Sequence, residues 1–74
     1  MTDELEKALT EADQAIEDSK NLARVQEAQI ARMKATGRKT SHAEAVLAAY
    51  QYGIDLAMRR KKALEAVARK TLAS

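Results

Sequence analysis

Leu5, Leu9, Ala12, Ile16, Ser19, Ala23, Gln26, Ile30 and Met33 follow one another in alternating steps of four and three residues. That alternation is a heptad seam, a stripe of one helix that faces another, with polar interruptions at Ser19 and Gln26. A second seam of the same period runs through Ala43, Leu47, Tyr50, Ile54, Ala57, Lys61, Leu64, Ala68 and Thr71. Between them, Gly37-Arg38-Lys39-Thr40 interrupts the pattern as a short polar turn. The pattern predicts an all-α fold in one domain, an antiparallel two-helix hairpin of coiled-coil type. Its expected parts are helix one over about residues 3–36, a turn over 37–41 and helix two over about 42–72.

The ends of these elements carry their own signals. Asp3 is a candidate N-cap, with Glu6 in the capping-box position three residues on. Gly37 suits the left-handed residue that follows a helix C-terminus, and Lys34 places a cation in the last turn. Ser41 is read as the cap of helix two, with Glu44 completing its capping box and Thr40 as the alternative cap. Equal arms around a short turn pack antiparallel. Folding there sets Ile30 near Leu47, Ala23 near Ile54 and Leu5 near Leu72. Charge supports the same arrangement. Residues 1–20 hold seven acids and two bases, a net of −5, and residues 59–74 hold six bases and one acid, a net of +5. An antiparallel hairpin lays these two segments side by side, where a consistent charge pattern helps to choose register.

Composition changes the picture by making a lone hairpin marginal. Of the 74 residues, 34 are nominally apolar, but sixteen of those are Ala. Small cores of this kind are usually supplemented by oligomerisation, a metal or disulfides, and the chain has no Cys. Helix two carries a second apolar face through Ala45, Ala49, Tyr52, Leu56, Ala63 and Ala66, with a fainter counterpart in Ala8, Ala15 and Leu22 of helix one. Gly53, beside Tyr52, costs a helix interior about 1 kcal/mol relative to Ala; it marks either a close backbone approach or a tolerated defect. The second face predicts a homodimer, with two hairpins forming a four-helix bundle. The candidate interface is Ala45, Ala49, Tyr52, Gly53, Leu56 and Ala63.

The sequence holds little that could carry chemistry. His42 is the only histidine, and Glu44, two residues on, faces elsewhere on a helix and cannot orient it. A four-helix di-iron site needs Glu-x-x-His, and Lys39 stands three residues before His42. Asp13 and Glu17, one turn apart, could touch a divalent cation, or form a solvated acidic face opposite the basic arm. There is no glycine-rich phosphate loop, nucleophile elbow or Cys/His zinc spacing. The expectation is no enzyme, no cofactor and no metal.

Basic residues raise a second possibility. Arg59-Arg60-Lys61-Lys62 spreads over about 300° of a helix, too far round to make one face, and it is expected to pair with the acidic arm. Lys61 lies on the seam, where its stem can pack while its ammonium reaches Asp13 or Glu17. The turn cluster Arg32, Lys34, Arg38 and Lys39 is the better candidate for a polyanion contact, because no acidic arm is expected beside it. The net charge of +2 is too small to imply a nucleic-acid partner by itself. The acidic start of the chain is unlike a signal peptide, and the longest apolar run, Ala45–Tyr50, is far short of a bilayer span. The expected location is therefore the cytoplasm, with no membrane partner.

Three segments together carry a resemblance: Ile30-Ala31-Arg32-Met33, Gly37-Arg38-Lys39-Thr40 and Ala43-Glu44-Ala45-Val46-Leu47. Residues 25–64 resemble a family of short α-proteobacterial helical-hairpin proteins, found in soil and plant-associated bacteria. In that family the turn commonly has His after the Gly and then an acid; Arg38 and Lys39 stand there instead, so no role of that His carries over. The family has no settled function, so the resemblance implies a fold and not an activity. The leading functional expectation is a small, self-associating protein-interaction or scaffold protein that acts through helix faces. The alternatives are a nucleic-acid-associated regulator using the basic turn, and an inhibitor-type partner of a larger protein.

Overall fold

A computed structural model of the chain describes residues 3–73, with side chains up to Thr71. Two α-helices, α1 (Asp3–Ala35) and α2 (Ser41–Ala73), pack against each other as a hairpin, and no strand occurs among the described residues. The molecule is a rod of 59 × 15 × 13 Å. Among the described residues two ion pairs bridge the antiparallel helices, Lys34–Glu44 beside the turn and Asp13–Lys61 toward the open end.

α1 stops where the sequence places a glycine. Gly37 has φ +73°. Its N–H donates to the carbonyl of Lys34 at 3.1 Å, and the Arg38 N–H donates to the carbonyl of Met33 at 2.9 Å. These two bonds form a Schellman motif, which satisfies carbonyls that the end of a helix would otherwise leave open. The Thr36 hydroxyl adds a bond to the Met33 carbonyl at 3.0 Å.

The start of α2 corrects the capping assignment. The Glu44 N–H donates to the Thr40 carbonyl at 2.8 Å, so Thr40 is the N-cap and Ser41 is the first helical residue. Glu44 then falls one residue too late for a capping box, and its carboxylate turns to Lys34 Nζ at 3.5 Å. Asp3 likewise stands within the first turn of α1 rather than before it; the residue ahead of it lies outside the described residues.

Every member of the first seam is buried or half-buried, and Ala8 joins them. The second seam behaves the same way up to Ala68. Thr71 departs from it: the residue is exposed, and its hydroxyl donates to the Val67 carbonyl at 2.9 Å. A hydroxyl at a helix end is better satisfied by its own preceding turn than by an apolar seam. The juxtaposition of Leu5 with Leu72 lies outside the described residues.

The polar seam residues are accommodated by reaching. Gln26 Nε2 donates to the Ala43 carbonyl at 3.0 Å, tying the last third of α1 to the first turn of α2. Lys61 extends its ammonium to Asp13 Oδ1 at 2.6 Å, whereas Glu17 pairs with Arg24 within α1.

The core is thin. Among the described residues the buried apolar ones are Ala12, Ile16, Ala23, Ile30, Ala43 and Ala68, four of them Ala. The chain exposes 5633 Å², against about 4,500 Å² for a typical folded monomer of its 8.1 kDa. The hairpin therefore shows about 1,100 Å² more surface than its mass requires.

Candidate functional site

The two long flanks of the rod differ in kind. On one, Ile16, Lys20, Met58, Lys61, Lys62 and Glu65 line a shallow hollow. Residues at heptad intervals from these lie on the same side, and they include Asp13, Lys34 and Glu44, so both cross-helix ion pairs belong to this charged flank. The Lys61 ammonium is held above its usual value of 10.5, first by the hydrogen bond to the Asp13 carboxylate and then by that carboxylate's charge; Glu65 adds to the rise and desolvation opposes it.

A raised lysine pKa stabilises the folded chain fully below the unfolded-state value, and that contribution is lost as pH rises through the folded value. The parent is therefore expected to lose more stability than Lys61→Met in melts taken through and above pH 10.5. The other lysines are common to both chains and cancel in the comparison. Parallel losses would mean that the pair contributes nothing to the fold.

The opposite flank is apolar. Ala12, Ala15, Leu56 and Ala57 line a groove between the helices, with Glu11 and Arg60 at its edges. Stepping by sevens from Ala15 brings Ala8 and Leu22 to this flank; stepping from Leu56 brings Ala49 and Ala63; stepping from Arg60 brings Val46, Gly53 and Val67. Leu22 is 50% exposed, Leu56 46% and Val67 52%. Val25, two heptads beyond Glu11, continues the outer edge of this flank. Tyr52, 65% exposed, stands one turn before Leu56, about 40° further round. Of the six large exposed apolar side chains among the described residues, only Met58 lies on the charged flank.

The structure thus places Ala49, Gly53, Leu56 and Ala63 of the expected interface on one flank, with Tyr52 and Ala45, one heptad apart, together at its outer rim. Gly53 faces open space within the hairpin: a Cβ built there meets nothing within 4 Å. A close approach by α1 is therefore not the reason for the glycine. Gly53→Ala is expected to stabilise the folded chain by about 1 kcal/mol through helix propensity, read as a higher melting temperature. A lower one would show that a second backbone closes on this position.

The basic turn is less free than its sequence implies. Lys34 is paired with Glu44, so an acid does stand beside this cluster. Arg32 and Arg38 line an open hollow with Gln29, Met33 and Thr36, and Lys39 is exposed at the tip. His42 is exposed in the first turn of α2. Asp13 and Glu17 each engage a cation of the chain itself. Among the described residues, no group of three or more His, Cys, Asp or Glu side chains is placed to hold a metal ion, and no helix is long and apolar enough to cross a membrane. What the site offers is a surface: an apolar strip edged with charge, whose usable chemistry is burial. No family model matches the sequence, and no curated protein or solved structure matches it significantly.

The strip was only half readable as a second stripe on each helix. The missing signal was the contrast between the positions that flank each seam. Those on one side hold Asp13, Lys20, Lys34, Glu44 and Glu65, with Met58 as their large apolar exception, and those on the other hold Ala8, Ala15, Leu22, Val46, Gly53 and Val67, with Arg60 as their charged exception.

Proposed function

We propose that this chain is a small, non-enzymatic interaction protein of the cytoplasm that self-associates through its apolar flank and serves as a helical scaffold for protein partners. The observation that carries this reading is the one-sided distribution of exposed Leu22, Val25, Tyr52, Leu56 and Val67. Exposed apolar side chains scattered singly need no explanation, whereas a contiguous strip marks an interaction surface. The thin core supports the same reading, because a second copy would supply the burial that a single hairpin lacks. The nucleic-acid alternative rests on Arg32, Arg38 and Lys39 and is weakened by the pairing of Lys34 with Glu44.

The test is the mass of the parent chain at micromolar concentration, measured by light scattering behind size exclusion. The expected result is twice the 8.1 kDa of one chain, or a higher even multiple. A stably folded monomer would refute self-association and leave the flank to a different protein. Salt-dependent retention on DNA or RNA would favour the basic turn as the working surface.

A further inference from the structure

We infer that the apolar flank takes a second copy of this chain in one orientation, turn beside turn, with α1 of each hairpin lying over α2 of the other. The inference rests on the self-association proposed above and adds the geometry of the pair. The surface available matches such a partner. A stable interface of standard size buries about 800 Å² on each side, which would offset most of the roughly 1,100 Å² by which the whole rod exceeds a compact chain of its mass.

A twofold pair presents the same flank from both chains. With the helices aligned and fully overlapped, only two arrangements do so. In one, the twofold axis runs along the rod, the two turns lie at the same end, and α1 covers the partner's α2. In the other, the axis crosses the rod, the turns lie at opposite ends, and each helix covers its own copy.

Charge along the flank distinguishes them. Glu11 edges the groove on α1, and Glu4 and Asp18 repeat it one heptad to either side. Arg60 edges the groove on α2, beside Arg59. All five lie in the half of the rod away from the turn or near its middle. With the turns together, the acidic edge of each α1 lies over the basic edge of the opposite α2. With the turns apart, Asp18, near the centre of α1, meets its own copy, and Arg59 and Arg60, near the centre of α2, meet theirs. Like charges brought together at an interface oppose the wrong pairing. The turn-beside-turn pair also surrounds each helix with antiparallel neighbours of opposite charge, as the hairpin already does for α1 and α2.

Because the chain has no Cys, Lys39→Cys at the exposed tip carries a single nitroxide per chain. Electron–electron distance measurement on the labelled protein, with its mass checked by light scattering, is the test. The expected result is a dimeric mass and one interspin distance under about 30 Å, since neighbouring helix axes lie about 8–10 Å apart. A distance near the helix length, about 50 Å for 33 residues, on a dimeric mass would overturn the orientation and leave self-association standing. A folded monomer with no interspin distance would overturn both.

Discussion

Leu56→Glu is expected to halve the mass of the protein in solution. Leu56 is 46% exposed in the single hairpin, so a carboxylate there stays hydrated and costs an isolated chain little. In a pair it would sit in the groove with Ala12, Ala15 and Ala57, away from water. An unpaired charge buried this way costs about 3–5 kcal/mol, a weakening of association by about a hundredfold or more. Loss of helix together with mass is the expected extreme of the same effect, because six apolar residues are buried among those described in the lone hairpin. Met58→Glu is the control: Met58 is exposed to a similar degree, 43%, but lies on the charged flank, and its variant should keep the parent mass. Light scattering with far-ultraviolet circular dichroism reads both. If the two variants keep the parent mass alike, the apolar flank is not where the chains meet.

The hairpin was legible in the sequence because several independent signals agree on it. The heptad spacing from Leu5 to Met33 and from Ala43 to Ala68 names the facing stripes, Gly37 names the break, and the −5 and +5 ends name the antiparallel sense. Such agreement between local and global preferences is what makes a fold readable. The misplacements are local and have physical causes. Thr40 and Ser41 offer the same capping hydroxyl, and only the backbone bond from the Glu44 N–H to the Thr40 carbonyl tells them apart. Assigning Glu44 to a capping box hid its pairing with Lys34, and so made the basic turn look more exposed than it is. Gln26 reads along the chain as a gap in the seam; its bond to a carbonyl seventeen residues away exists only once the helices are packed. The surface proposed for association was harder to find, because Ala and Leu serve a core and an interface equally well. It becomes distinct only when the flanks are compared and one holds both cross-helix ion pairs.

Gly37→Val is expected to be the most damaging single change in the turn, and Gly37→Asn a mild one. A Cβ at Gly37 meets nothing within 4 Å, so crowding plays no part and the effect is conformational. At φ +73° an L-residue places its Cβ against the neighbouring carbonyl, a cost of about 1–2 kcal/mol. Branching at Cβ makes this worse, whereas Asn is among the residues that tolerate the left-handed region. The two bonds of the Schellman motif, from Gly37 to Lys34 and from Arg38 to Met33, depend on that conformation. A valine that escapes to negative φ would break them and redirect the chain before Thr40 can cap α2. The expected loss is about 2 kcal/mol or more for Val and under about 1 kcal/mol for Asn. For a domain of this size each kcal/mol moves the melting temperature by about 4–8 °C. The melts must be compared at one protein concentration, since pairing makes the midpoint concentration-dependent. Equal melting temperatures would mean that α1 is stopped by something other than the backbone freedom of Gly37.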